Sequence, residues 1–214
     1  MRIPLLNLLK KRVQTQIALL QDELVELVYS LDNTLVLHGG TAIWRCYQGN
    51  RFSEDLDFYA KNARKLEENF KAKASERGLT LLKFKKTENL IFCKVTDGNV
   101  EVRLEINFSA RVKPIVARYE RADGSFIDVL SLSPEDLLVE KARAYANRKF
   151  IRDIYDVYHL AAYATNRDEV RPTVKTLLTA IQPPVDEKNL KTIVYSGAVP
   201  TFKQITESLK RRFE

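Results

Sequence analysis

"HGGTAIWRCYQGNRFSEDLDFYA", residues 38–60, decides how the rest of the chain is read. Two glycines, Gly39 and Gly40, follow the apolar run "NTLVL" at 33–37. That order predicts a short buried strand, a glycine turn, and a helix through Tyr47 with Thr41 as its N-cap. Downstream, Asp55 and Asp57 alternate with Leu56 and Phe58 in "SEDLDFYA". Such alternation predicts a strand with both aspartates on a wet side and the apolar pair packed beneath.

The chemistry of these residue types points one way. Backbone N–H groups at a glycine turn approach a ligand closely, and the helix N-terminus behind them favours phosphate. Thr41 adds a hydroxyl. Two carboxylates on one strand face suit one or two divalent cations bridging the phosphates of a nucleotide. Glu105, on the wet face of a later strand, could complete that set and act on an attacking hydroxyl. A glycine turn or an acidic strand alone is usually structural; glycine turn, short helix and Asp-x-Asp in this order are more specific.

Outward from this stretch, residues 4–30 carry apolar positions at helical spacing, an amphipathic helix with an expected break near Gln21. Residues 63–77 predict a charged helix ended by Gly78, and "TLLKFKK", "NLIFCKVT" and "NVEVRLEINFS" predict successive strands. The last two are joined by an Asp97-Gly98 turn. In the third, Val102, Leu104 and Ile106 share one face, and Glu101, Arg103, Glu105 and Asn107 the other. After "SFIDVLSL" the pattern turns helical, opening with Ser133 as cap and Pro134 at the first helical position. The expected organisation is α+β: a mixed-sheet domain with flanking helices over 1–132, then a helical domain over 133–214.

A hydrophobic content of 45% against 29% charged is a globular balance rather than a disordered one. The net charge of +7 tilts the partner toward a polyanion. Cys46 and Cys93 have no paired spacing, so neither a disulfide framework nor a zinc knuckle is expected. With His38 and His159 the only histidines, a metal would be held by carboxylates, which favours Mg²⁺ or Mn²⁺ over zinc. The first residues lack a signal-peptide core and no run approaches membrane-spanning length, so a cytoplasmic location without membrane association is expected.

"HGGTAIWRCYQGNRFSEDLDFY" resembles the signature of the AbiEii-type nucleotidyltransferase toxins, within the DNA polymerase β-like nucleotidyltransferase superfamily. Members carry Gly-Gly or Gly-Ser, a gap, then Asp-x-Asp; here Thr41 stands where the hydroxyl role would pass, if it is filled. Ser53 matches the family's Ser-x-Asp-x-Asp, and reads equally as a strand-start residue bonding its own backbone. "SPEDLLVEKARAYANRKFIRDIYDVYHL" resembles the family's second block, a lysine-bearing helix followed by an Arg-Asp-x-x-Asp helix. Lys141 and Arg148 share a helix face, where they can meet a triphosphate. Asp153 and Asp156 lie one turn apart at the start of the next helix. The resemblance implies that Lys141 and one of these aspartates complete the active site. The structural alternative is an ionic network among Lys141, Arg148, Arg152, Asp153 and Asp156, with Arg152 and one aspartate its expected core.

The resemblance thus implies a Mg²⁺-dependent enzyme moving a nucleoside monophosphate from an NTP to RNA, with tRNA the plausible acceptor and a cognate antitoxin as partner. "LKRRFE" at the end, "RKFIR" at 148–152, and Lys83, Lys85 and Lys86 are candidate phosphate contacts. Two other classes stand beside it: a protein hydroxyl as acceptor, and a non-catalytic nucleotide- or nucleic-acid-binding module of the same fold. The module would be expected to lose its carboxylates, and Asp55, Asp57 and Glu105 are all present. An interaction protein is a further class, but amphipathic helices at both ends are more simply packing elements.

Overall fold

The computed structural model describes residues 3–61, 64–108 and 111–213, which fall into two units, Met1–Cys46 with Ser53–Leu132 and Tyr47–Phe52 with Ser133–Glu214. The expected helix start at Ala63, the strand end at Ser109 and the terminal Glu214 lie outside the described residues. The first unit opens with α1 (Leu5–Leu8) and α2 (Arg12–Leu31). The break expected near Gln21 is not there. Gln21 is fully buried inside α2 and its amide donates to the Ser53 carbonyl at 2.9 Å, so a polar residue on the buried face is satisfied without interrupting the helix. The interruption falls between α1 and α2 instead.

There follow β1 (Val36–His38), α3 (Gly39–Cys46), β2 (Leu56–Tyr59), α4 (Arg64–Glu76), β3 (Thr80–Lys86), β4 (Leu90–Thr96), β5 (Glu101–Asn107), β6 (Ile115–Glu120) and β7 (Phe126–Ser131). Among the described residues these strands form one seven-stranded mixed sheet, ordered β3-β4-β5-β2-β1-β7-β6. β2 runs parallel to β5 and antiparallel to β1, so residues from both edges of the chain's first half meet at the sheet centre. The sequence reading did not include β6 and β7; β7 enters beside β1 through Leu37 and Ser131.

One face of this sheet is the core. Leu56, Phe58, Ile91, Cys93, Val95, Val102, Leu104 and Ile106 are all within 1% of complete burial. α2 packs on β5, and α4 packs on α2 and β3; Leu24 and Leu27 of α2 and Phe70 of α4 are buried. Each such side chain contributes roughly 1.5–3 kcal/mol by leaving water. The opposite face keeps Asp57, Tyr59, Arg103 and Glu105 partly or fully accessible.

A buried polar cluster fixes α3 on this core. The Arg45 guanidinium donates to the Ala18 carbonyl at 2.9 Å, to the Tyr119 hydroxyl at 3.1 Å and to the Asp22 carboxylate. Asp22 also accepts from Tyr119 at 3.0 Å and from the Ala122 N–H at 2.7 Å. Burial pushes the Asp22 carboxyl above its ordinary value although Arg45 opposes it. Arg45 thereby ties α3 to α2 and β6, and holds the helix that follows Gly39 in one place.

The second unit is helical: α5 (Pro134–Arg148), α6 (Ile151–Leu160), α7 (Arg167–Thr179), α8 (Leu190–Ile193) and α9 (Phe202–Phe213). The Ser133 hydroxyl accepts the Asp136 N–H at 3.0 Å, with Pro134 at the first helical position, as the sequence predicts. Lys149 ends α5 in the left-handed conformation at φ 55°. Tyr47–Phe52 packs here: the Phe52 N–H donates to the Ile193 carbonyl at 2.8 Å and Tyr195 to the Gly49 carbonyl at 2.8 Å. Among the described residues no helix is long and apolar enough to cross a membrane.

Candidate active site

Gly39 opens α3 directly after β1, at φ +73°, a conformation that favours glycine. A Cβ built on it would fall on the Asp57 carboxylate. The reason is register: β1 and β2 pair His38 with Asp57, so the turn folds back over the aspartate. Glycine is therefore required twice here, for the backbone angle and for the approach of the carboxylate. Gly39→Ala is expected to cost about 1–2 kcal/mol of stability from the left-handed backbone alone, plus displacement of Asp57. Its measurable signature is a loss of NTP affinity larger than the melting shift explains.

On its other side β2 pairs in parallel with β5, and Asp57 stands opposite Glu105. Directly paired residues on neighbouring strands share a face about 5 Å apart, so the two carboxylates stand side by side across the ladder. The Glu105 carboxyl is pushed above its ordinary value by burial and by the charges of Asp57 and Asp55, with His38 and Arg103 opposing. Asp55 lies just before β2. Arg103 holds it with two hydrogen bonds, Nε to Oδ1 at 2.7 Å and Nη2 to Oδ2 at 2.9 Å.

The structure thus gathers Gly39, Asp55, Asp57 and Glu105. In this geometry, among the described residues, no three His, Cys, Asp or Glu side chains converge as a ready metal-ligand set. The donor chemistry nevertheless fits a hard cation: oxygen donors only, repelling one another at the head of a glycine turn. Thr41 is corrected as an N-cap. It is the third residue of α3, fully buried, and its hydroxyl donates to the Asp55 carbonyl at 2.5 Å, which positions the acidic strand. The Ser53 carbonyl is taken by Gln21. Gly40 is buried inside α3.

Beyond Asp57, the Tyr59 ring stacks on His38 with centroids 3.7 Å apart and planes 6° apart. A cavity of about 530 Å³ opens on the Tyr59 side, lined by Val36, Tyr59, Phe108 and Leu130 with Lys61 and Arg111. Its size lies within the range of small-ligand sites, and an apolar wall with two cations suits a nucleoside bearing phosphate.

The charged residues of the helical unit form their own cluster. Asp153 and Asp156 are 0% and 1% exposed. Arg51 grips Asp156 through Nε and Nη2 at 2.5 Å each, and Arg148 grips Asp153 at 2.7 and 2.8 Å. The Lys141 ammonium lies between them, 3.2 Å from Asp156 and 3.7 Å from Asp153. Burial alone would raise the Asp156 carboxyl, but Arg51 and then Lys141 outweigh it and hold it below the usual range. Arg152, expected in this network, is exposed instead and lies over the Phe150 ring. Arg51 takes the place expected of it. Nothing in the local sequence marks Arg51, whose partner is 105 residues away.

A family model described as the nucleotidyl transferase AbiEii toxin of type IV toxin–antitoxin systems matches residues 24–195. Both residue clusters fall inside that range. Among solved structures, the fold is similar to the nucleotidyltransferase toxin MenT4 of Mycobacterium tuberculosis H37Rv, at TM-score 0.60 and 19% identity over 94% of this chain and 84% of that one. It is also similar to JHP933 of Helicobacter pylori, at TM-score 0.61 and 20% identity over 91% and 89%. At these identities the likeness shows the fold. A search for relatives among curated proteins finds no match. With the mixed sheet and the family model in agreement over most of its length, the chain belongs to the AbiEii family of nucleotidyltransferase toxins.

Proposed function

We propose that this toxin transfers a nucleoside monophosphate from an NTP to the 3′-hydroxyl of RNA, with tRNA the foremost acceptor, in a Mg²⁺-dependent reaction in the cytoplasm, and that an antitoxin restrains it. The observation that carries the reading is the pairing of Asp57 with Glu105 beneath Gly39, with Asp55 alongside. Asp55, Asp57 and Glu105 would hold a divalent cation, which would supply positive charge against the charge developing on the phosphates. Gly39 and Gly40 present the start of α3 to the triphosphate. The cavity beside Tyr59 takes the nucleoside. The acceptor oxygen bonds to the α-phosphorus, the bond to pyrophosphate breaks, and Glu105 accepts the hydroxyl proton.

Lys141 serves as a phosphate contact, since its ammonium is shared loosely between two carboxylates that each have a closer arginine. Incubation with each NTP labelled at the α-phosphate, Mg²⁺ and total RNA should place label on RNA and release pyrophosphate. Label confined to protein would move the acceptor to a protein hydroxyl. Absence of any transfer with all four nucleotides would overturn the reading.

A further inference from the structure

The register of the sheet places a row of side chains beside the carboxylates that the reaction above leaves unassigned. On the wet face Asp57 pairs with Glu105, Glu105 with Phe92, and Phe92 with Lys85. In the next row Arg103 pairs with Lys94, and Lys94 with Lys83. Partners across a ladder share a face, so one lane runs from the centre of the sheet to its β3 edge. Three ladder steps of about 4.8 Å separate Lys85 from Asp57, roughly 14 Å in all.

The lane is chemically graded. Nearest the carboxylates stands Arg103, its side chain 55% exposed although Asp55 anchors it. One strand farther are Phe92, partly exposed, and Lys94, which pairs with Glu101. At the edge Lys83 and Lys85 are exposed and no carboxylate among the described residues pairs with either; the Lys83 ammonium lies 5.5 Å from the centre of the Phe92 ring. Lysines on an edge strand also discourage sheet-to-sheet pairing. That role asks for charge on β3 alone. It accounts for neither an accessible aromatic on β4 nor the cations continuing inward on β4 and β5.

We infer that this lane binds the single-stranded 3′ end of the acceptor RNA, with Phe92 stacking a base and Lys83 and Lys85 meeting phosphates, so that the terminal hydroxyl arrives at Glu105. Alternating aromatic and cationic groups are what a single strand is held by. The register also sorts the lysines: Lys86 pairs with the buried Ile91, on the opposite face, and lies outside the lane. The inference rests on the RNA-transfer reading and names the surface that reading lacks.

The test uses the full chain and a short fluorescein-labelled single-stranded RNA ending in CCA, read by anisotropy without NTP. Phe92→Leu should weaken binding about tenfold, the loss of one stacked base, and Phe92→Tyr should restore it. Lys83→Gln with Lys85→Gln should lower the slope of log affinity against log salt by about 1.4, two phosphate contacts at about 0.7 each. In turnover, the KM for RNA should rise while the KM for NTP stays near wild type. Variants with wild-type melting temperatures that bind the RNA with unchanged affinity and salt slope, in a protein that does label RNA, would overturn the lane and leave the reaction standing. A wild-type enzyme that labels only protein would remove both.

Discussion

Asp57→Asn is expected to lower nucleotidyl transfer by at least about a thousandfold without lowering the melting temperature of the metal-free protein. The two effects separate because Asp57 stands opposite Glu105 in the ladder. Like charges directly across strands destabilise the sheet by a few tenths of a kcal/mol to about 1, so an amide relieves the fold. The same amide removes one of the charges that would hold the cation. Several kcal/mol of transition-state stabilisation go with it, and each 1.36 kcal/mol is about tenfold in rate. A binding readout keeps the claim independent of activity: added Mg²⁺ and NTP should raise the melting temperature of the wild type and leave the variant unmoved. A folded Asp55→Asn, Asp57→Asn double variant that still transfers nucleotide would refute the carboxylate assignment.

The central motif was legible because its signals are local. A glycine pair after an apolar run and alternation through Asp55–Phe58 each need only neighbouring residues, and both describe the observed β1, α3 and β2. The same holds for Ser133-Pro134, which caps α5 as read. Thr41 misled because glycine already opens the helix: with Gly39 in the left-handed conformation, the threonine falls inside α3 and bonds the Asp55 carbonyl instead. β6 and β7 were missed for a different reason. Ile115 and Val116 on the edge strand are both exposed, so burial does not alternate cleanly, although the Asp123-Gly124 turn between the strands was a signal that could have found them.

Partners distant in sequence were the other gap. The wet face of β5 and its hairpin with β4 could be read from alternation and the Asp97-Gly98 turn, yet only the strand order shows that Asp57 stands beside Glu105. Arg45, Asp22 and Tyr119 meet from three elements, and residue type alone assigns an arginine to the surface. The electrostatic contrast between the two clusters follows from the same distant pairings. Beside Gly39, carboxylates crowd one another and Glu105 holds its proton more tightly than usual. In the helical unit Asp153 and Asp156 are each gripped by an arginine, and Lys141 is shared between them.

That shared arrangement sets the second large effect. Asp156→Ala is expected to destabilise the protein by about 3–5 kcal/mol, because it strands the Arg51 guanidinium, itself only 4% exposed, without its anion. For a chain of this length that is a melting shift of about 6–20 °C. Lys141→Met should cost much less stability, since Asp156 keeps both bonds from Arg51 and Asp153 keeps both from Arg148. On the proposal that Lys141 meets phosphate, its loss should appear in turnover instead, with a raised KM for NTP. The pH dependence follows the same balance. The Asp156 carboxyl is held below its ordinary value, so its stabilising charge is fully present above about pH 3.9 and is lost only as pH falls through the lower folded value. Asp156→Asn should remove that acid-side loss and leave a curve flatter below pH 4 than the wild type's. Equal melting shifts for Asp156→Ala and Lys141→Met, with activity falling only in proportion to folded protein, would show that Lys141 is one more structural ion pair.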